Sequence, residues 1–182
     1  FLGAALSIAT VYATSMIYAQ LKTVPRWNTP LTSILFMLLS LTGGALLSAQ
    51  ISFSLLLLTA AGITQVTYWV LGDQALNKSG TNIGTATRLE GRGSVGAFEP
   101  PHTGTNYLLH EFVYIVGRKH STKLRIISIL LMIITPIVLL SLTFSFVLIL
   151  LAVLTHTTGL FVSRWLFFAQ AEHVVGFYYG LR

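Results

Sequence analysis

The 182-residue sequence predicts an all-α, polytopic membrane helix bundle, with about five transmembrane helices and one amphipathic helix at the membrane surface. Composition is the first observation, because only 9% of the residues are charged whereas 54% are hydrophobic. A soluble domain carries roughly 25% charged residues, and a disordered chain is poor in apolar residues. The composition therefore excludes both classes. The lengths of the charge-free stretches predict the number of helices, and the positions of the charges predict which membrane face each loop occupies.

Three long stretches without charge set the number of helices. Residues 1–21, 27–72 and 126–163 contain no Asp, Glu, Lys or Arg. A spanning helix needs about 20 apolar residues at a rise of 1.5 Å each, so these stretches accommodate one, two and two helices. Within one membrane-embedded domain, residues 1–182, the helices are predicted near 1–21, 30–48, 51–72, 124–142 and 144–168.

Prolines and small residues mark where these helices start and deviate. Pro30 suits the first position of the second helix, and a tight turn is predicted near residues 48–50. Pro136 is expected to kink the fourth helix. Ser128 and Thr135 lie close enough in sequence to satisfy the backbone groups that this proline frees.

The sequence begins at Phe1, without Met and without a basic leader, and its first residues are typical of the interior of a membrane helix. We therefore expect it to be a piece whose natural N-terminus is not represented. The absence of Cys excludes iron–sulfur clusters, thiolate zinc sites and disulfides within the chain. Any cluster in its pathway would belong to a partner.

The 16 charged residues (11 basic plus 5 acidic) all fall on, or within one turn of, a single predicted membrane face. The turns near 49–50 and 141–145 on the opposite face carry none. The positive-inside rule would make the charged face cytoplasmic. A basic face that docks a protein partner would produce the same pattern, so the orientation stays open.

The segment 73–123 connects the third and fourth helices. Its first half is rich in Gly, Thr, Asn and Ser and is expected to be an extended loop. Residues 105–123 place apolar side chains at helical spacing and end in a basic cluster, which favours the negative end of a helix dipole. This pattern predicts the amphipathic helix at the membrane surface or under a partner.

Three strings together carry a resemblance to a known family. They are LKTVPRWNTPL at 21–31, FEPPHTGTNYLLHEFVYIVGRKHSTKLR at 98–125 and SRWLFFAQAEHVVGFYYG at 163–180. Their order and spacing resemble the membrane anchor subunit of the dimethyl sulfoxide reductase family. Members of that family typically have eight membrane helices, to which this chain would contribute the last five.

The resemblance implies an anchor within a three-part respiratory enzyme in the cytoplasmic membrane of a prokaryote. A molybdopterin catalytic subunit would reduce the terminal acceptor, and an iron–sulfur subunit would pass electrons to it. The anchor would bind menaquinol and deliver its electrons, with neither haem nor cluster of its own. The alternatives are a transporter or channel fragment and a structural tether without a quinol site. No catalytic or metal-binding residue is predicted in this chain, so whether it counts as an enzyme stays open.

His156 is the first candidate quinol ligand, because an ionisable side chain in mid-membrane is a functional candidate by default. The alternative is a neutral His that is hydrogen-bonded to a neighbouring helix. Haem ligation would need a second axial ligand at the same depth. His173 does not meet that need, since it lies 17 residues later, about 25 Å along a straight helix.

Arg164, Glu172 and His173 are the other quinol candidates, at the charged end of the last helix. Arg164 can donate to a quinone oxygen, or it can snorkel to the interface beside Trp165 and Phe168. Glu172 and His173 can accept quinol protons as an acid–base pair, or form a hydrated interfacial cluster.

Partner docking is assigned to basic residues of the charged face: Arg26, His102, Arg118, Lys119 and His120. The alternative is contact with lipid phosphates, worth about 1 kcal/mol per basic residue near an anionic leaflet. Nucleic-acid binding is not expected, because the chain contains no element that reads bases or tracks a nucleic-acid backbone.

Overall fold

The computed structural model describes residues 1–91, 93–96, 98–99 and 115–179, which form helices and no strand. Five helices are long and apolar enough to cross a membrane, so the chain is a multi-pass membrane protein and the predicted all-α fold is confirmed. The elements are α1 (Leu2–Ala19), α2 (Pro30–Leu47), α3 (Ile51–Lys78), α4 (Ile83–Thr87), α5 (Ile115–Lys119), α6 (Ser121–Leu142), α7 (Phe146–Ala169) and a 3₁₀ helix (Val174–Tyr179).

Four spans lie close to their predicted positions, whereas α3 continues to Lys78, past the expected end near residue 72. The prediction ended this helix at the first charged residue, Asp73. A helix need not end where the hydrocarbon ends, because its polar last turns are hydrated outside it. Residues 73–78 are therefore helical rather than extended.

The predicted loop also contains the short helix α4. Asn82 Oδ1 accepts a hydrogen bond from the Thr85 backbone N–H at 2.9 Å, and Thr85 Oγ1 accepts one from the Asn82 N–H at 2.9 Å. This reciprocal cap starts a helix that the composition of the segment did not predict. Of the predicted surface helix 105–123, residues 105–114 lie outside the described residues. The rest forms α5 and, after His120, the start of α6.

Four of the spans pack as a ring. α2 contacts α3 and α7, α6 contacts the same two helices, and α1 packs on the outside of α2. The centre of the ring is filled by fully buried side chains, among them Leu35, Leu58, Met132 and Leu166. The outer surfaces carry exposed Leu, Ile and Phe side chains, which suits contact with lipid.

The turns at the opposite end of the bundle are tight and uncharged. After α2, the Ala49 N–H donates to Leu46 O and the Gln50 N–H donates to Ala45 O, both at 3.1 Å. Ala49 adopts a left-handed conformation with φ 56°, as the residue that ends a helix in this hydrogen-bond pattern commonly does. The described charged residues belong to the other end, which we call the charged end.

Pro136 shapes the middle of α6. Residues Leu130–Ile134 form a π-helical segment directly before it. Because proline has no N–H, the carbonyl of Met132, four residues earlier, loses its helical donor. His156 of α7 supplies the replacement, since its Nδ1 lies 2.7 Å from Met132 O. The expectation that Ser128 or Thr135 would satisfy this group is wrong for Ser128, whose hydroxyl donates to Gly159 O at 3.3 Å.

Gly159 allows the close approach that this contact requires. A Cβ at position 159 would lie only 2.8 Å from the Met132 Cα, so no larger residue fits without moving a backbone. The absence of a side chain thus brings α7 against the π-helical segment of α6. His156, one turn earlier on α7, is placed against the freed carbonyl as a result.

Candidate functional site

An ion cluster of Arg26, Asp73 and Arg125 ties the α1–α2 connection to α3 and α6. Arg26 Nη2 donates to Asp73 Oδ1 at 2.8 Å. Arg125 forms a bidentate pair with the same carboxylate, at 2.7 Å from Nη1 and 2.6 Å from Nη2. Two guanidinium groups around one carboxylate leave the cluster with a net charge of +1.

Arg26 is 7% exposed, which is unusual for a charged residue. Its side chain lies against Gly72, where a Cβ would come within 2.8 Å of Nη1. The Nε and Nη1 atoms of Arg26 have no hydrogen-bond partner among the described residues. The absence of a side chain at Gly72 therefore leaves space for the Arg26 guanidinium, two of whose nitrogen atoms have no hydrogen-bond partner among the described residues.

A group of packed rings, which we call the aromatic cluster, lies beneath the charged end. Trp27 stacks on Phe167 with ring centroids 5.0 Å apart, and its indole N–H donates to Phe167 O at 3.0 Å. Tyr18 meets Phe167 edge-to-face at 5.2 Å, and Phe36 and Phe168 complete the group. The cluster joins α1, α2, α7 and the connection between α1 and α2.

Arg164 of α7 points into this cluster. Its guanidinium carbon lies 4.6 Å from the Phe36 ring centroid and 4.9 Å from that of Phe167, within the range of cation–π attraction. Its buried Nε has no hydrogen-bond partner in the described part of the chain. Arg164 is half-buried, so its guanidinium packs against the rings while part of the side chain remains accessible.

Tyr68 of α3 is within electrostatic reach of both Arg26 and Arg164. It is 2% exposed, and both Arg26 and Arg164 act electrostatically on its hydroxyl. That hydroxyl is near the Thr32 side chain, but it makes no hydrogen bond of acceptable geometry among the described residues. Sequence analysis missed Tyr68, although it lies about one turn before Asp73, the first charge after a long apolar helix.

Two cavities flank Arg26. The first, which we call the basic cavity, has a volume of about 370 Å³ and lies between α3 and the start of α2. The cationic side chains on its wall are Lys22, Arg26 and Lys78. The second, of about 350 Å³, opens at the charged end and is lined by both acids and bases, including Asp73, Arg118, Arg125 and Glu172.

His156 is 2% exposed and occupies the interior between α6 and α7. Since a carbonyl only accepts, Nδ1 must carry the proton that is donated to Met132 O. Its Nε2 is buried without a hydrogen-bond partner among the described residues. His156 precedes Arg164 by about two turns, or about 12 Å along α7.

Glu172 and His173 follow the end of α7. Glu172 lines the second cavity with Asp73 and three arginines. His173 Nδ1 accepts a hydrogen bond from the Val175 N–H at 3.1 Å, and the Val174 N–H donates to Thr23 O at 3.0 Å. Burial lowers the pKa of His173 below its ordinary value of 6.5, because desolvation disfavours the imidazolium.

The turn after α7 is expected to loosen at acidic pH. An unfolded His titrates near 6.5 and folded His173 titrates lower, so this stabilisation is complete above about pH 6.5 and is lost as the pH falls. Protonation also removes Nδ1 as the acceptor for Val175. Hydrogen exchange of the 170–179 backbone, corrected for its intrinsic pH dependence, should rise below pH 6.5. The same measurement on His173→Gln should be flat, and an equal rise in that variant would contradict the assignment.

The predicted docking residues occupy different environments. Lys119 and His120 are exposed at the charged end, and Arg118 donates from Nη2 to Ala171 O at 3.3 Å. Arg26 is buried in its pair with Asp73. His102 lies outside the described residues. Among the described residues no three His, Asp or Glu side chains come together as a metal site.

Comparison with known proteins supports the predicted family. The sequence matches the family model of the DMSO reductase anchor subunit (DmsC) over residues 1–181. It is also similar to a sulfite dehydrogenase subunit of Allochromatium vinosum, with 28% identity over 195 residues that cover 98% of this chain and 59% of the relative. The chain thus spans less than two thirds of that relative, and no solved structure matches it. Because the family model covers nearly the whole sequence, the chain belongs to the family of DMSO reductase anchor subunits.

Proposed function

We propose that this chain is the membrane anchor of a molybdopterin oxidoreductase complex in the cytoplasmic membrane of a prokaryote. It binds menaquinol near the charged end and passes the electrons to a docked iron–sulfur subunit, while a molybdopterin subunit reduces the terminal acceptor. Membership of the anchor family supports the assembly. The observation that carries the quinol site is Arg164, a cation among aromatic rings whose Nε has no partner in the described part of the chain.

The aromatic cluster fits an aromatic headgroup. Phe36 is half-buried and offers an apolar ring surface, whereas Phe167 is already stacked on Trp27. The Arg164 guanidinium, which lies over both rings, offers hydrogen bonds to an oxygen of that headgroup. Menaquinol, when bound, supplies two electrons and two protons. The residues of this chain would bind and orient it, and would keep water away from the ring.

Glu172 and His173 are the proposed proton acceptors. Both lie past the end of α7, and Glu172 lines the cavity that opens at the charged end. The lowered pKa of His173 keeps its imidazole neutral at neutral pH, and a proton accepted at Nδ1 would replace the hydrogen bond from Val175. Lys119 and His120 are exposed at the same end and would contact the iron–sulfur subunit. The role of His156 in quinol binding stays a prediction. Its Nδ1 donates to Met132 O and is therefore not available to a quinol.

Arg164→Gln in the assembled complex tests the quinol site. Loss of a charge-assisted hydrogen bond of about 1.5–3 kcal/mol should slow menaquinol-supported cluster reduction by roughly 10- to 100-fold. A soluble reductant that reaches the iron–sulfur subunit directly should still reduce the clusters at the wild-type rate. The matched control is Lys123→Gln, which removes an exposed cation from the same end.

Two results would contradict the proposal. Menaquinol-supported reduction that is unchanged in Arg164→Gln would remove this residue from the site. A wild-type complex in which menaquinol reduces no cluster would identify the chain as a structural tether. Co-purification of the other subunits with each variant shows that the complex has assembled.

A further inference from the structure

We infer that the basic cavity binds the phosphate of an anionic phospholipid. Its charge is the first reason, because Lys22, Arg26 and Lys78 line it whereas no acidic residue among the described residues does. Asp73 faces Arg26 from the side of the second cavity and does not line this one. Three cations around one cavity favour an anion, and a phosphate group offers them a negative charge and several acceptor oxygens.

The cavity also has unused hydrogen-bond donors. Arg26 is 7% exposed, and its Nε and Nη1 atoms have no partner among the described residues. Nη1 lies against Gly72, which forms part of the cavity wall. A buried guanidinium with unpaired donors is costly unless a ligand satisfies it.

The start of α2 adds a third attraction for an anion. Asn28 and the N-cap residue Thr29 line the cavity. α2 has 18 residues, and its first backbone N–H groups carry the positive end of the helix dipole toward this side. This attraction would act together with the side-chain cations, since the cavity wall contains both.

The position of the cavity along the bilayer identifies the source of the phosphate. On α3 its wall runs from Tyr68 through Gly72 and Ala75 to Lys78, about 15 Å along one face. A hydrocarbon core about 30 Å thick takes about 20 residues, so α3, which starts at Ile51, leaves it near residue 71. The Lys78 end therefore lies at the depth of lipid headgroups, and exposed Leu71 lies where acyl chains begin.

The same lining argues against quinol oxidation in this cavity. A quinol that loses electrons must also lose two protons, and a carboxylate or imidazole is the usual acceptor. Among the described residues that line the cavity there is neither a carboxylate nor an imidazole. The lipid site is therefore separate from the proposed quinol site. Lipid binding can be tested without measuring electron transfer.

Lipid retention by the purified complex tests this inference. The complex is stripped of lipid in detergent, titrated with phosphatidylglycerol or phosphatidylcholine, and examined by native mass spectrometry. Lys22→Gln/Lys78→Gln should weaken phosphatidylglycerol binding about 30-fold, from about 1 kcal/mol per lysine. The matched control, Arg88→Gln/Lys123→Gln, removes the same charge from exposed residues that do not line the cavity and should bind as the wild type does.

Three results would overturn it. Equal binding of phosphatidylcholine would show that headgroup charge is irrelevant. Equal loss in both double variants would reduce the effect to the overall charge of the face. If inorganic phosphate at millimolar concentration displaced phosphatidylglycerol from the wild type, the site would belong to free phosphate rather than to lipid.

Discussion

Replacing His156 with Leu is expected to lower the free energy of unfolding by about 1–3 kcal/mol, the cost of leaving a buried acceptor unsatisfied. The acceptor is Met132 O, which Pro136 deprives of its helical donor and which His156 Nδ1 satisfies at 2.7 Å. Leu keeps most of the side-chain volume, so the loss measures the hydrogen bond more than a cavity. Unfolding of the purified chain in mixed micelles gives the value.

Pro136→Ala provides the matched background for this measurement. The substituted alanine restores a backbone N–H that can donate to Met132 O, as in an uninterrupted helix. In that background His156→Leu should lower the free energy of unfolding by at least about 1 kcal/mol less than it does in the wild type. A double-mutant cycle detects a coupling of this size. Strictly additive costs would show that the imidazole is not the substitute donor.

The double variant also separates the two roles considered for His156. It lacks the imidazole, yet Met132 O keeps a donor, so the packing of α6 on α7 should survive. Retained menaquinol-supported cluster reduction in the assembled complex would leave His156 a structural role only. Loss of that reduction, with assembly intact, would support His156 as a quinol ligand through Nε2, the ring nitrogen without a partner in the described part of the chain.

The number and type of helices followed from the sequence because bilayer thickness fixes the length of a span. Charge-free stretches are therefore counted in helices with little ambiguity. The end of α3 did not follow, since a charged residue such as Asp73 marks where hydrocarbon ends rather than where hydrogen bonding ends. Pro136 predicted an irregularity in α6. The residue that satisfies the freed carbonyl of Met132 is His156, which lies on the next helix.

The candidate site depends on contacts between distant parts of the chain. Arg26 meets Asp73 across 47 residues, and Trp27 donates to the Phe167 carbonyl across 140. Sequence singled out Arg164 because a cation near an apolar span is conspicuous. It missed Tyr68 because the groups that act on its hydroxyl, Arg26 and Arg164, lie on other parts of the chain.

Replacing Asp73 with Asn is expected to destabilise the chain by about 2–3 kcal/mol, because it removes the counter-charge of two arginines at once. The Arg26 side chain is 8% exposed and cannot regain water readily, whereas that of Arg125 is 21% exposed and Asp73 itself 46%. Such partial solvation places the cost below that of a fully buried pair and above that of a surface pair. Unfolding in mixed micelles measures it.

Matched variants divide this cost between the two arginines. Glu90→Gln neutralises an exposed acid and should change stability by less than about 0.5 kcal/mol. Arg125→Gln should cost less than Asp73→Asn, since Arg26 keeps its partner. In an Arg26→Met background, Asp73→Asn should cost clearly less than in the wild type, because the stranded buried charge is gone. If Asp73→Asn cost no more than Glu90→Gln, the cluster would not hold the α1–α2 connection against α3, and the walls of both cavities would need another explanation.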